Sequence, residues 1–303
     1  MYMQYSKPIE IFGRTIDIKF NDCISIHEKQ TFNDRALTLY IHINKRCNAR
    51  CSFCNLHKQC APKIQFDFQK LSEVLNELIA LNRLGRIAIT GGETFLDIEL
   101  LDKLLKIIKQ IVPTPIVTIN TNASMLHKIS KLDNIDVLTE IRISRHHYSD
   151  QKNDSIFGIR CATLDEISFA VKKYGSNFIK FNCNMIRGHI DSVAEISKYL
   201  DEVSSIGISE VGFVGLMPFN EYCIEHYVEY VNFSFPDTFL RVRSLLDANI
   251  CQCDNFLYCS QKTGKILQVY FRHVKELNCA YCRQFTYSYD NNFSAGFDGQ
   301  IIY

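Results

Sequence analysis

The chain has 303 residues, 47% of them hydrophobic and 22% charged, and a formal net charge of +1. That composition is globular, is long enough for one large domain or two ordinary ones, and excludes a disordered or polyelectrolyte chain. Nothing in it points to nucleic acid, no run reaches the roughly 18 uncharged apolar residues of a membrane span, and the first residues carry no signal-peptide core. A cytoplasmic protein is expected, whose thirteen cysteines are thiols or metal ligands and not disulfides.

Residues 1–36 read as an N-terminal extension in which Pro8–Phe20 alternates apolar and polar residues across Gly13, the pattern of a small β-hairpin. Leu37–Ile43 is rich in β-formers and gives the first strand of a core. A regular alternation follows. Phe66–Leu81 places Phe68, Leu71, Val74, Leu75, Leu78 and Ile79 on one helical face. Arg86–Thr90 is a short strand, Ile98–Ile111 a helix, Pro115–Asn120 a strand, Ala123–Leu132 a helix and Val137–Ser144 a strand. Thr163–Tyr174 is a helix opened by a capping box from Thr163 to Glu166. Asn177–Ile186 is a strand, Asp191–Ser204 a helix and Glu210–Leu216 the sixth strand. Strands alternating with helices specify a parallel sheet, with a closed eight-unit barrel as one option. Past Pro218 the alternation stops: Thr238–Ala248 reads as a helix, while Ile266–Arg272 and Phe285–Tyr289 alternate like strands. The expected organisation is a core over 37–218 and a C-terminal extension over 219–303.

The chemistry concentrates directly after the first strand, where Cys47, Cys51 and Cys54 stand at C-x3-C-x2-C spacing. Three thiolates on one short loop can hold three irons of a [4Fe–4S] cluster and leave the fourth open to a small molecule. Structural zinc asks for four ligands, which His57 or Cys60 could complete. A non-catalytic zinc-binding protein and an iron–sulfur redox sensor are therefore the alternatives to an enzyme. In parallel α/β sheets ligands gather at strand C-termini, and Gly91, Gly92, Glu93, Thr121, Asn122, Ser144 and Met217 all fall there with the cysteine loop. Glycine lets backbone approach a ligand, and a carboxylate accepts hydrogen bonds from an ammonium group. His146 and His147 can exchange protons near neutral pH. With Tyr148 they are candidates to face a substrate, as is Lys180, which alternation puts on one face with Asn182 and Asn184. Cys251, Cys253, Cys259, Cys279 and Cys282 are enough for an auxiliary iron–sulfur cluster or a zinc site, or are plain thiols.

With Phe53 just ahead of the third cysteine, this loop and the Gly91-Gly92-Glu93 turn resemble the radical S-adenosylmethionine (SAM) superfamily. Over 37–218 the chain is similar to the molybdenum-cofactor biosynthesis protein A group and its SPASM and twitch relatives. The resemblance implies a partial (β/α)6 barrel carrying a small N-terminal hairpin and a cysteine-rich C-terminal extension. It implies a cluster whose open iron binds SAM, an external one-electron donor, and a 5′-deoxyadenosyl radical that abstracts a hydrogen atom from a substrate. It sets Gly91, Gly92 and Glu93 against the methionyl amino group, Ser144 against the ribose or carboxylate, and Phe53 and Met217 near the adenine. Two departures bear on substrate. The arginines with which that group holds a nucleotide triphosphate fall at Tyr40 and Ala88, neither of which offers the guanidinium fork. The Cys279-x2-Cys282 pair lacks the third cysteine expected after it. GTP chemistry is therefore not expected, and a peptide, a natural-product precursor or another small molecule is.

Overall fold

The computed structural model describes residues 5–20, 37–54, 65–82, 84–244, 254–272, 284–296 and 301–303. β1 (Tyr5–Ile11) and β2 (Arg14–Phe20) pair antiparallel with Ile11 opposite Arg14. The two turn residues, Phe12 and Gly13, both have positive φ, 49° and 67°, as a two-residue type I′ hairpin requires. Phe12 stacks on Tyr303 with centroids 4.2 Å apart and its N–H donates to Glu77 Oε1, so the hairpin tip rests on the first helix and on the end of the chain.

Six parallel strands lie side by side in sequence order: β3 (Leu37–Asn44), β4 (Leu84–Gly91), β5 (Val117–Thr121), β6 (Glu140–Ser144), β7 (Ile179–Met185) and β8 (Glu210–Gly215). The expected core of alternating strands and helices is present. The C-terminal segment supplies β9 (Phe239–Ser244), β10 (Asp254–Cys259), β11 (Ile266–Arg272), β12 (Gln284–Tyr287) and β13 (Phe293–Ala295), and it widens the same sheet on both sides. β11 pairs parallel with β8, and β12 parallel with β3. β10, β9 and β13 follow antiparallel outside them. Among the described residues the eleven-stranded sheet is open, ending on β13 and β9.

Side-chain alternation divides this sheet into two faces. Leu39, Ile41, Ile87, Ile89, Ile119, Ile141, Phe181 and Val211 are fully or almost fully buried on the face covered by helices. α1 (Phe68–Ala80) presents Leu71, Val74, Leu75 and Leu78 to it, and α2 (Ile98–Ile111) presents Leu101, Leu104, Leu105 and Ile108. Two more helices cover it further along, α4 (Leu164–Tyr174) after the short α3 (Asp150–Phe157), and α5 (Val193–Ser205). A short helix, α6 (Glu221–Glu225), follows β8. The opposite, concave face carries Tyr40, Arg86, Asn120, Arg142, Ser144, Lys180, Asn182 and Asn184, each partly buried along its strand, Arg142 and Lys180 mostly so. The polar row through Lys180 therefore lines the barrel interior.

Two expected helices are absent among the described residues. Ala123–Leu132 forms only a 3-10 turn over Leu126–Lys131, entered through Ala123 at φ 60°. Within Thr238–Ala248, residues 239–244 form β9. Pairing with β10 there overrides helix propensity, and Phe239 is buried while Leu240 stays 64% exposed. Conversely α3 went unforeseen, although Ser149 caps its start and Gly158, at φ 66°, ends it.

Candidate functional site

The end of β4 grips the stem of the cysteine loop. Gly92 N–H donates to Asn44 O at 2.9 Å and Glu93 N–H to Arg46 O at 2.8 Å, while Asn44 Nδ2 donates back to Glu93 O. A Cβ on Gly91, whose φ is 131°, would stand 2.3 Å from Asn44 O, and one on Gly92 only 1.9 Å from Arg46 O. The glycines thus permit a close approach of backbone to backbone, with the loop's own stem as the partner. Glu93 is 1% exposed. Its Oε1 accepts from Thr121 Oγ1 at 2.6 Å and from Phe95 N–H at 3.0 Å, and its Oε2 from Asn122 N–H at 2.8 Å. Burial pushes its pKa up, against the pull of those three donors. Asn122 then reaches the loop itself, donating to Asn48 Oδ1 at 3.1 Å and lying 3.9 Å from Cys47 Sγ. Asn48 in turn donates to Ser124. Glu93, Thr121 and Asn122 therefore use polar atoms to hold the cysteine loop in place.

Cys51 is buried, and Cys47 and Cys54 are partly exposed. Ala49, Cys51, Phe157 and Cys161 form a small apolar cluster with Phe53 against it, and Arg50 N–H donates to Phe157 O at 2.7 Å, tying the loop to the end of α3. On the other side Asn220 Nδ2 donates to Ser52 O and Cys223 Sγ to Phe53 O. Burial, with the neighbouring Cys54 and Cys47, pushes the Cys51 thiol up to about 12, and burial raises Cys47 as well. Thiolates in such a place call for cationic partners, which irons supply. Among the described residues no three His, Cys, Asp or Glu side chains converge as the ligands of one ion would; a cubic cluster asks instead for one thiolate on each of three irons. Three thiols on one braced loop in an apolar lining fit that demand. Asn44, Asn48, Ser124, Cys161 and Cys223 were missed in the sequence. Neither isolated cysteine sits at a spacing that marks it, and the asparagines act only through the folded turn.

The rim beyond β6 separates into distinct roles. Ser144 closes the strand on the concave face, half-exposed beside Asn182. Arg145 is 1% exposed and braces the loop, donating to Ala162 O, Tyr148 O and Asp150. The His146 ring stacks on Phe157 at 4.8 Å and meets the edge of Phe53 at 5.1 Å, which brings it to the cysteine loop. Its Nδ1 accepts from Asn184 N–H at 3.0 Å, and burial lowers its pKa to about 3. His147 is buried beside it, its pKa lowered to about 4 by burial and by nearby cations. The Tyr148 hydroxyl donates to Glu195 on α5. Met217 follows β8, half-exposed, beside the Leu216 that packs with Ile186 and Cys223.

At the other end of the strands, charges close the barrel floor. Glu140 pairs with Arg86 at 2.6 Å, Arg142 at 2.6 Å and Lys180 at 2.7 Å. Glu210 pairs with Arg142 at 2.8 Å and Lys180 at 2.9 Å. Tyr270 on β11 lies across Gly212, accepts from Arg142 and donates to Asn182. Lys180 is thus held between two carboxylates at the end of the sheet opposite the cysteine loop. Of the C-terminal cysteines, Cys259 is exposed at the end of β10; Cys251, Cys253, Cys279 and Cys282, like His57 and Cys60, lie outside the described residues.

GTP 3′,8-cyclase of Clostridium botulinum (strain Okra / Type B1) is 26% identical over 188 residues, covering 60% of this chain and 57% of that protein. The enzyme of the same name from Peptoclostridium acidaminophilum is 27% identical over 186 residues, 60% of this chain and 55% of that protein. The chain therefore spans little more than half the length of these relatives. Among solved structures, Streptococcus suis SuiB bound to its precursor peptide SuiA matches with a TM-score of 0.60 at 15% identity, over 88% of this chain and 61% of that one. That likeness concerns the fold. The model of the radical SAM superfamily, whose members use a [4Fe–4S] cluster and SAM, matches residues 41–202, more than half of the chain and the whole span from the cysteine loop to α5. The protein belongs to the radical SAM superfamily.

Proposed function

We propose that the protein is an enzyme that cleaves SAM reductively and abstracts a hydrogen atom from a substrate bound at the mouth of the barrel. The observation that carries this reading is the clamp between the cysteine loop and the Gly91-Gly92-Glu93 turn. It is a costly construction: two close backbone contacts and a buried carboxylate hold three thiols at the strand ends. Cys47, Cys51 and Cys54 would ligate the cluster. When bound, the cluster supplies the electron that splits SAM into methionine and a 5′-deoxyadenosyl radical. Around it, the chain's own residues position and exclude. Phe53 and His146 wall the loop side, Ser144 offers a hydroxyl from the end of β6 to the SAM ribose or carboxylate, and Met217 offers a soft apolar contact to the adenine. Glu93, Thr121 and Asn122 keep the loop rigid enough for one productive geometry. His146 carries no proton at Nδ1 and stays neutral at physiological pH, so it would serve as a hydrogen-bonding group and not as a general acid.

For the substrate we favour a peptide or natural-product precursor over a nucleotide. Tyr40 and Ala88 stand directly opposite each other on the concave face, where a triphosphate would need guanidinium forks. The ion pairs of Arg86, Glu140, Arg142, Lys180 and Glu210 sit toward the strand ends away from the cysteine loop, so a substrate entering from the loop side meets uncharged residues first. SuiB, similar in fold, has been captured with a precursor peptide. The test is anaerobic reconstitution, followed by incubation with SAM and dithionite and measurement of 5′-deoxyadenosine. The wild type is expected to form it, and a Cys47→Ala/Cys51→Ala/Cys54→Ala variant to form none. Iron-loaded wild type that never forms 5′-deoxyadenosine would refute the proposal and favour a redox or binding role.

A further inference from the structure

The loops after β6 and β7 bring His147 and His189 together, with ring centroids 6.1 Å apart. His147 is 1% exposed, and its Nδ1 accepts from Ser149 N–H at 2.9 Å. A neutral imidazole has one proton, so accepting at Nδ1 puts that proton on Nε2. His147 Nε2–H is therefore a fixed donor, and it is buried with no acceptor among the described residues. His189 Nδ1 is likewise buried without a partner. Two ring nitrogens left unpaired at neighbouring loops are unusual, because buried donors are nearly always satisfied.

The tautomer restricts what could satisfy them. A metal ion on His147 Nε2 would demand an imidazolate, since Nδ1 is already engaged as an acceptor, so the missing partner must itself be an acceptor. The surrounding charge narrows it further. The charged groups acting on His147 are Lys152 on α3, His189, Arg145 just after β6, and Lys198 on α5, every one of them basic. Asp150 answers Arg145, and Lys198 lies over the Tyr148 ring near Glu195. His189 is half-exposed and faces Lys152, His226 and one acid, Asp191, which already accepts from Gly188 N–H. Lys152 is exposed with no ion pair among the described residues.

We propose that His147, His189 and Lys152 form a subsite for an anionic oxygen group, a carboxylate or a phosphate, carried by the substrate. His147 Nε2–H and His189, as its Nδ1–H tautomer, donate to the anion, and Lys152 closes over it from the solvent side. The half-exposed His189 is the wall that gives way when the ligand enters. His147 follows directly on His146, whose ring touches Phe53 of the cysteine loop, so the loop that would hold the anion also walls the cysteine loop. This rests on the radical SAM reading for its meaning, while the binding itself can be measured without turnover.

The test uses the whole chain labelled with 15N-histidine and titrated with inorganic phosphate, then with acetate, at constant ionic strength held with sodium chloride. Saturable shifts of the His147 and His189 ring nitrogens are expected, with binding about tenfold weaker in Lys152→Ala and no shift in His189→Phe. Lys152 is exposed, so its variant should fold as the wild type does. A response to phosphate alone assigns a phosphate group, and a response to acetate assigns a carboxylate. The proposal is overturned if neither anion shifts the two rings, if Lys152→Ala binds as tightly as the wild type, or if zinc chloride occupies the pair instead. Loss of 5′-deoxyadenosine formation with anion binding intact would strike the enzymatic reading alone.

Discussion

Replacing Gly92 by alanine tests whether the Gly-Gly-Glu turn acts as a clamp. The added Cβ would stand 1.9 Å from Arg46 O and 2.4 Å from its carbonyl carbon, far inside any tolerated contact, and the neighbouring atoms are backbone that cannot rotate away. Relief requires the end of β4 to separate from the loop stem by more than about 1 Å. That breaks the bonds from Gly92 N–H to Asn44 O and from Glu93 N–H to Arg46 O. Two backbone hydrogen bonds at about 1 kcal/mol each, with about 1–3 kcal/mol of overpacking strain, give a loss of roughly 3–5 kcal/mol. In a chain of 303 residues that is a fall in Tm of about 5–8 °C. Thermal unfolding by circular dichroism, with iron and sulfide analysis of the reconstituted protein, reads both consequences. Iron content should drop along with Tm, because the stem that positions Cys47 is displaced. A Gly92→Ala protein with native Tm and full iron would refute the clamp.

Three further outcomes are expected. Glu140→Gln should cost about 3 kcal/mol near neutral pH by leaving Arg86, Arg142 and Lys180 short of a buried counter-charge. Burial alone would raise the Glu140 pKa, but Arg142, Arg86 and Lys180 together hold it below its ordinary value. Its contribution is thus present above about pH 4.3 and lost as the pH falls through the lower folded value. Urea unfolding from pH 7 to pH 3 should show that acid loss weakened in the variant, and an unchanged acid limb would count against the network. Gly212→Ala, whose Cβ would meet the Tyr270 ring at 2.2 Å, should destabilise by about 1–3 kcal/mol, and adding Tyr270→Ala should recover part of that; strict additivity would contradict the packing. Glu93→Gln turns one acceptor into a donor facing Thr121 and Phe95 N–H or Asn122 N–H, so a loss of about 1–3 kcal/mol and lowered iron retention are expected, read by the same unfolding and iron assays.

The parallel core was legible because its information is local. The strands from β3 to β8 are short runs of apolar or alternating residues, the helices α1, α2, α4 and α5 show their apolar stripes, and the cysteine spacing sits where the first strand ends; α3, with only Asn153 and Phe157 buried, shows none. The C-terminal strands were less so. β9 carries Phe239, Leu240 and Val242 among arginines, which fits a helix about as well as a strand, and only its partner β10 decides. That β11 joins β8 while β12 joins β3 at the opposite flank is a long-range choice that no window of sequence contains.

Residue types in the site proved easier to read than their roles. Gly91, Gly92 and Glu93 announce close approach and a carboxylate, and at a strand end both suggest a ligand. In the folded chain the nearest neighbours of the glycines are Asn44 O and Arg46 O, and the carboxylate is already taken by Thr121, Phe95 and Asn122. The same residues can be indispensable to a cofactor site because they build its walls. The histidines make the point from the other side. A His-His pair suggests proton transfer, yet backbone N–H groups of Asn184 and Ser149 occupy both Nδ1 atoms and turn the two rings into neutral donors. Those donors lie two and thirty-eight residues from their histidines in sequence. What a titratable side chain does is set by which backbone groups arrive beside it, and that arrives only with the fold.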